Sequence, residues 1–300
     1  MQCKKTHCEN LNIFTNTDMI TFPCAKINLG LNVIAKRPDG FHDLETVFYP
    51  IPLTDAIEVK RMHHDFPLDE TYDICITGAQ VEGNTDDNLV VKAYRLIAEH
   101  YDIPRVHIHL FKRIPMQAGL GGGSSDAAFM IRLLDEYFML NMGNREMERY
   151  AARLGADCPF FITAEPAYAT GIGDILQPVG SDEECCHYLN GYWIALVKPP
   201  VAVSTKEAYA DITPHATSKK CREIVLQPIE TWREELTNDF EESIFPKYPV
   251  LAHIKESLYD RGAVYAAMSG SGSTLFGIFR EKPLGIDTAF ADCQTYVMQL

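Results

Sequence analysis

Four glycines within five residues, in Pro115-Met-Gln-Ala-Gly-Leu-Gly-Gly-Gly-Ser-Ser125, constrain this chain more than any other feature. The run lies between two regular patterns. Before it, Val106, Ile108 and Leu110 alternate with His107 and His109, a period of two that predicts a strand. After it, Ala127, Ala128, Ile131, Leu134 and Phe138 recur at helical spacing, which predicts a helix over 126–138. Glycine accepts positive φ without steric cost, so successive N–H groups here can turn toward one point. A helix N-terminus at the same place adds free donors and a partial positive charge. The segment therefore reads as an anion cradle suited to phosphate, which points to a nucleotide enzyme.

Two familiar phosphate loops do not fit. No Gly-Lys-Ser/Thr follows the glycines, which excludes a Walker A loop. Counting G-x-G-x-x-G from Gly119 puts Ser124 in the sixth position, and no acidic ribose partner follows on a later strand, which sets a Rossmann oxidoreductase aside. The remaining string is accompanied upstream by Pro23-Cys-Ala-Lys-Ile-Asn-Leu-Gly30 and downstream by Met268-Ser-Gly-Ser-Gly-Ser-Thr274. Three segments in that order resemble the three motifs of the GHMP kinases, the superfamily of galactokinase, homoserine kinase and mevalonate kinase.

Composition narrows the class. At 300 residues the chain can bury one large or two medium cores. No run of eighteen apolar residues occurs, so no membrane span is expected, and the first residues lack the apolar stretch of a signal peptide, so a cytoplasmic location is expected. Nine scattered cysteines, an odd number, predict reduced thiols rather than a disulfide framework. Cys185-Cys186-His187 has poor tetrahedral spacing and no complementary pair, so neither zinc nor any other metal ligand is assigned. A net charge of −14 argues against a nucleic-acid partner and leaves a small molecule as the expected one, for a monomer or weak homodimer.

Along the chain, residues 1–18 are polar and patternless and read as a frayed tail. Ile27, Leu29, Leu31 and Val33 alternate with Lys26, Asn28, Gly30 and Asn32, which predicts a strand with one apolar and one polar face. Arg37-Pro-Asp-Gly40 is a turn, and strands follow around Leu44–Ile51 and Ile57–Val59. Asn88 stands as N-cap to a helix over Leu89–Glu99, and a further helix covers 144–154. A composition shift at 177–190 reads as a linker. Beyond it come a strand at Trp193–Val197, a capping box at Ser204-Thr-Lys-Glu207, and helices near 230–244 and 249–260, with Gly262 as C-cap. Strands at Ala263–Met268 and Thr274–Phe279 and a final helix complete the pattern. Mixed elements without regular βαβ alternation indicate an α+β class. The division expected is 1–18 as tail, 19–178 as an N-terminal domain with the glycine loop, and 179–300 as a C-terminal domain. The resemblance implies the two-domain GHMP kinase fold: a first domain like domain 2 of ribosomal protein S5, a ferredoxin-like second domain, and the site between them.

The resemblance also assigns residues. It makes Lys26 catalytic and Asp157, in Leu154-Gly-Ala-Asp-Cys-Pro-Phe-Phe161, the base. Phosphoryl transfer to an alcohol needs a group that orients the hydroxyl and accepts its proton, and small residues around one carboxylate beside Phe160 and Phe161 set a charge against an apolar wall. A nearby Lys26 would keep that carboxylate ionised and meet charge on the transferred group. ATP, with Mg²⁺, would contact Asn88 at the adenine and Lys112, Pro115, Met116, Gln117, Ala118, Gly119, Leu120, Gly121, Gly122, Gly123, Ser124 and Ser125 around the phosphates. For Ser124 and Ser125 three roles stay open: helix cap, phosphate contact or metal ligand.

The acceptor is written elsewhere. Arg37-Pro-Asp-Gly-Phe-His-Asp-Leu-Glu-Thr46, Ala118–Asp126, Gly155-Ala-Asp157 and Gly171-Ile-Gly-Asp174 resemble the branch of the superfamily that phosphorylates the 2-hydroxyl of a cytidine-diphosphate-linked methylerythritol in the non-mevalonate isoprenoid route. That resemblance implies that Phe41 and Tyr209 flank the cytosine, that His42 reads its edge, and that Thr205 and Asn28 contact the polar remainder. Stacking and edge hydrogen bonding suit a pyrimidine. Phe41 stands where many relatives have Tyr, and Cys158 where Val is usual. The competing readings are another GHMP kinase, acting on mevalonate, homoserine or a sugar, and a nucleotide-binding regulator without catalysis. The joint presence of Lys26 and Asp157 argues against the regulator. Deleting residues 1–18 is expected to leave folding and turnover intact; loss of either in the truncated protein contradicts the reading of that segment as a tail.

Overall fold

The computed structural model describes residues 19–66, 71–81, 83–180 and 188–300; the expectations for 1–18 and for Cys185-Cys186-His187 fall outside them. Its first part holds strands β1 (Met19–Thr21), β2 (Cys24–Lys36), β3 (His42–Thr54), β4 (Ala56–Arg61), β5 (Tyr72–Gly78), β6 (Val106–Lys112), β7 (Ala167–Thr170) and β8 (Ile175–Pro178). Between them lie helices α1 (Leu89–Ala98), α2 (Gly122–Phe138), α3 (Asn144–Ala152) and α4 (Phe160–Thr163). The second part has β9 (Trp193–Lys198), α5 (Thr205–Ala210), α6 (Cys221–Val225), α7 (Trp232–Glu235), α8 (Phe240–Ile244), α9 (Pro249–Asp260), β10 (Tyr265–Met268), β11 (Leu275–Phe279), α10 (Ile286–Ala289) and β12 (Gln294–Gln299).

These strands form three four-stranded sheets, ordered β1-β4-β6-β5, β2-β3-β7-β8 and β10-β11-β9-β12. Among the described strands, only β5 and β6 pair in parallel. The third sheet is antiparallel throughout, and its order is the ferredoxin-like one that the family resemblance implied. The inner face of the first sheet (Ile57, Val59, Ile108, Leu110) packs on α1 and α2 through Val90, Tyr94, Ala127, Met130 and Leu134. A second core joins the two parts, with Ile27, Leu29, Val47 and Ile51 meeting Leu196, Trp232, Tyr265 and Phe276.

Gly30 decides how β2 divides its side chains. The simple alternation expected over 27–33 breaks there, with a register shift against β3 between Leu29 and Leu31. An extra residue in a strand turns every later side chain to the other face. Ala25, Ile27 and Leu29 therefore belong to the core shared with β9–β11, while Leu31 and Val33 join Phe240, Leu251 and Leu258 in a different one. The polar set follows the same flip. Asn32 now sits on the first face, donating to Glu45 Oε1 at 2.9 Å. Nor is the polar face solvated, since Lys26, Asn28 and Asn32 are all buried.

Other differences have local causes. The helix expected at 230–244 is split, because Asn238 bridges to Leu31 and the backbone there pairs with β2: Leu31 N–H donates to Thr237 O and Asp239 N–H to Leu31 O, both at 2.8 Å. The chain ends not in a helix but in β12, an edge strand paired with β9, after the four-residue α10. The expected linker is anchored at both described ends, where Val179 and Leu189 are buried. Helix α2 starts four residues early, at Gly122, so two of the glycines are helical. The other elements read from the sequence fall near where their patterns put them, including α1, which Asn88 caps by accepting from Val90 N–H at 2.9 Å, whereas β1, β5, β7, β8, α4 and α6 were not anticipated. Among the described residues no helix is long and apolar enough to cross a membrane.

At Gly30 φ is +69°, and an added Cβ would stand 2.6 Å from Leu236 Cδ1 and 2.7 Å from Cys221 Sγ. Gly30→Ala is expected to lose about 1–3 kcal/mol of unfolding free energy through strain and overpacking. Urea denaturation checks this; an unchanged midpoint would remove the phase-switching role of that residue.

Candidate active site

A cleft of about 830 Å³ opens between the two parts of the chain. It gathers Lys26 and Asn28 from β2, Phe41 just before β3 and His42 at its start, Gln117, Gly119 and Gly121 from the glycine loop, Asp157 from the segment between α3 and α4, Thr205 and Tyr209 from α5, and Gly270–Gly272 from the late loop. Residues separated by more than two hundred positions thus meet around one space.

Lys26 is held at the cleft floor. Its Nζ donates to Asn28 Oδ1 at 2.6 Å, lies 3.7 Å from Asp157 Oδ2 and sits 5.0 Å over the Phe48 ring. Asn28 is fixed in turn by donating to Thr46 Oγ1 at 3.0 Å. Burial pulls the Lys26 ammonium below its ordinary pKa, and Asp157 opposes that pull. Asp157 itself is about one-third exposed (36%), open to the cleft beside Gly173. Phe160 backs the region by packing on Phe48 at 5.2 Å, which is the apolar wall expected from the sequence.

The glycine loop needs its glycines for contact as well as conformation. Gly119 has φ +74°, and a Cβ there would lie 1.9 Å from Ser269 O. Gly121 has φ +70°, and its Cβ would strike the Phe161 ring at 2.8 Å. Pro115, Ala118 and Leu120 are buried and do not line the cleft, while Met116 and Gln117 are exposed. Gly121 is the N-cap residue of the seventeen-residue α2, which has no side-chain cap and no acidic residue in its first turn. The first N–H groups of a helix lack intrahelical partners, so this start can receive an anion. Neither Ser124 nor Ser125 caps it; Ser124 lies against the Cys158 thiol, and Ser125 Oγ is buried without a hydrogen-bond partner.

Lys112 is placed beneath this helix start, and its charge is engaged. It is buried, bonded to Asp126 Oδ2 at 2.6 Å and to Asp55 Oδ2. Although burial pulls it down, Asp126 and Asp55 together hold the Lys112 ammonium above its ordinary pKa. Burial pushes the Asp126 carboxyl up, to about 7, against the pull of Lys112. A smaller cavity of about 220 Å³ next to the loop is lined by Asn88, expected at the adenine, together with Lys112, Met116 and Gly123, expected around the phosphates.

At the other end of the cleft, His42 and Tyr209 stack with ring centroids 4.7 Å apart and planes 16° from parallel. Phe240 packs edge-on against the same tyrosine at 4.8 Å. Burial, and then Asp157, push the Tyr209 phenol up to about 12, so it stays a neutral hydrogen-bonding ring. Phe41 projects outward, 59% exposed. A base between Phe41 and Tyr209 must take the tyrosine face away from His42 or displace the imidazole. Thr205 Oγ1 lies 3.4 Å from Ser271 Oγ, across the cleft wall. Ser204 caps α5 as its motif predicts, accepting from Glu207 N–H at 3.1 Å. Sequence reading missed Phe48, Asp55, Asp126 and Asn238. Asp126 was visible as the residue closing the glycine string, but Asn238, which donates to Met268 O at 2.8 Å and Gly270 O at 2.9 Å and so fixes the late loop, carries no local signal.

Comparison with known proteins agrees with this geometry. Residues 88–165 match the family described as GHMP kinases N terminal domain, and residues 221–286 the GHMP kinases C terminal domain. A Bacteroides fragilis protein, 4-diphosphocytidyl-2-C-methyl-D-erythritol kinase, is 50% identical over 277 residues, covering 92% of this chain and 98% of that one. Its Bacteroides thetaiotaomicron namesake is 51% identical over 264 residues, covering 88% and 93%. The crystal structure of a 4-(cytidine 5'-diphospho)-2C-methyl-D-erythritol kinase superposes with a TM-score of 0.77 at 28% identity, covering 93% and 98%. A mevalonate kinase structure shares the fold, with a TM-score of 0.69 at 14% identity over 94% and 98%.

Replacing Lys112 leaves two buried carboxylates, Asp55 and Asp126, without their cation. Lys112→Met is expected to cost about 3–5 kcal/mol of stability, the usual penalty for breaking a buried ion pair on one side. Thermal unfolding checks this. A variant with wild-type stability that only loses ATP affinity would show that the lysine serves the nucleotide instead.

Proposed function

The chain belongs to the 4-diphosphocytidyl-2-C-methyl-D-erythritol kinases of the GHMP superfamily, and we propose that it transfers the γ-phosphoryl group of ATP to the 2-hydroxyl of 4-diphosphocytidyl-2-C-methyl-D-erythritol. One observation carries this reading: a single cleft holds a lysine–carboxylate pair, an uncapped helix start and an aromatic end suited to a pyrimidine. Mevalonate, homoserine or a sugar would need the first two features but not the third.

The roles follow from position. The triphosphate lies along the glycine loop, its charge met by the first N–H groups of α2, with adenine in the smaller cavity by Asn88. Cytosine is held at the end where Phe41, His42 and Tyr209 gather, while Thr205 and Asn28 contact the groups between base and alcohol. The alcohol then points toward Asp157. Its oxygen attacks the γ-phosphorus, the proton passes to the Asp157 carboxylate, and the bond from phosphorus to the β–γ bridging oxygen breaks to release ADP. Lys26, 3.7 Å from Asp157 Oδ2, lies close enough to meet charge on the moving group. Ser125 Oγ and Asp126 Oδ1, buried oxygens without hydrogen-bond partners near the helix start, would hold Mg²⁺ as hard donors, and the ion would supply positive charge to offset that of the phosphates. Most of the acceleration comes from positioning and preorganised charge.

An acceptor panel tests the reading. ATP-dependent phosphorylation is expected with the cytidylated alcohol and not with homoserine or mevalonate; the opposite pattern overturns it. In the same assay Asp157→Asn is expected to abolish transfer while ATP still binds by titration calorimetry. Near-normal turnover in that variant removes Asp157 from the base role.

A further inference from the structure

We infer that Lys206 binds the diphosphate bridge of the acceptor, an inference that rests on the cytidylated-alcohol reading above. Such an acceptor carries two anionic phosphates between its base and its alcohol, and these must cross the cleft between the aromatic end and Asp157. Among the residues lining that cleft, the permanent cations are Lys26 and Lys206. Lys26 is committed, with its Nζ 2.6 Å from Asn28 Oδ1 and 3.7 Å from Asp157 Oδ2. That pair is neutral in sum, so it leaves nothing to offset two further negative charges.

Lys206 is placed to do so. It lies on α5, three residues before Tyr209, a spacing that puts both on one helix face. Its neighbour Thr205 reaches Ser271 of the late loop at 3.4 Å, while Tyr209 stacks on His42 at 4.7 Å. Along one short helix the chain therefore presents a hydroxyl toward the loop, a base-binding ring, and between them in sequence an ammonium. Lys206 is exposed, and no carboxylate among the described residues engages it; the adjacent Glu207 instead accepts from Tyr248 at 3.2 Å. The whole chain has a net charge of −14, which repels a dianion at long range. Local attraction must then come from a cation inside the cleft, and a flexible lysine that contacts phosphate as a point charge meets that need.

Titration calorimetry of cytidine and of cytidine diphosphate, with a saturating non-hydrolysable ATP analogue filling the nucleotide pocket, tests this. Wild-type protein is expected to bind the diphosphate more tightly than the nucleoside. Lys206→Ala is expected to lose about tenfold of the diphosphate affinity, the scale of one charge-assisted hydrogen bond. Its cytidine affinity is expected to stay unchanged, and Lys206→Arg to recover most of the loss. A Lys206→Ala protein that keeps the wild-type preference overturns the inference and leaves the functional reading standing. So does a wild type that binds both ligands equally. A wild-type protein that binds neither ligand overturns both.

Discussion

Hydrogen bonds from two distant parts of the chain fix the glycine loop, and the rest of the site is arranged around that clamp. From β2, Lys26 N–H donates to Leu120 O at 3.0 Å; from the late loop, Thr274 N–H donates to Ala118 O at 3.3 Å and Ser269 Oγ to Gly119 O at 2.9 Å. The contact is so close that no side chain fits at Gly119. Each bond has a second effect. The residue that holds Leu120 by its backbone carries the cleft-floor ammonium on its side chain, so the cation is in register with the helix start. The bonds from the late loop bring the third sheet against the first part of the chain, which closes the cleft wall on which Ser271 faces Thr205.

Two buried lysines near the loop show how environment separates roles that sequence makes look alike. Lys112 is bracketed by two carboxylates, and Asp55 also accepts from the N–H groups of Arg113 at 2.5 Å and Ile114 at 2.8 Å. That arrangement ties the end of β6 to the second turn of α2 and leaves the lysine little freedom. Lys26 has one looser carboxylate partner, which is itself open to the cleft. Breaking the first set exposes unpaired charge in the interior, whereas the second can exchange its partner for a ligand.

Much of this was legible in the chain. The glycine string, the Lys-Ile-Asn segment and the late loop pointed to one site, and all three line the cleft. The order of the third sheet is the one the family resemblance implied, and three of its strands, 193–198, 265–268 and 275–279, announce themselves by period and by turn residues. What escaped depends on tertiary pairing. Gly30 reads locally as one more small residue on a polar face, and only its packing on Leu236 and Cys221 reveals the phase change. The break at 236–239 is imposed by β2, which offers Leu31 as a pairing partner more than two hundred residues away. Strand β12 is a half-buried edge whose pattern is weak, so a terminal helix was the natural expectation. Lys112 invited a phosphate role because it precedes the loop, and its partners Asp55 and Asp126 are apparent only once β4, β6 and α2 are assembled.

The account stands or falls on whether the lysine–carboxylate couple and the uncapped helix start serve one reacting centre. A crystal structure with a non-hydrolysable ATP analogue and the cytidylated acceptor bound together measures this directly. It is expected to place the acceptor's 2-hydroxyl oxygen within hydrogen-bond reach of Asp157, about 2.6–3.2 Å, and in line with the γ-phosphorus over the start of α2. A complex in which the hydroxyl lies on the far side of the cleft from Asp157, or the triphosphate lies away from Gly119–Gly123, would contradict it.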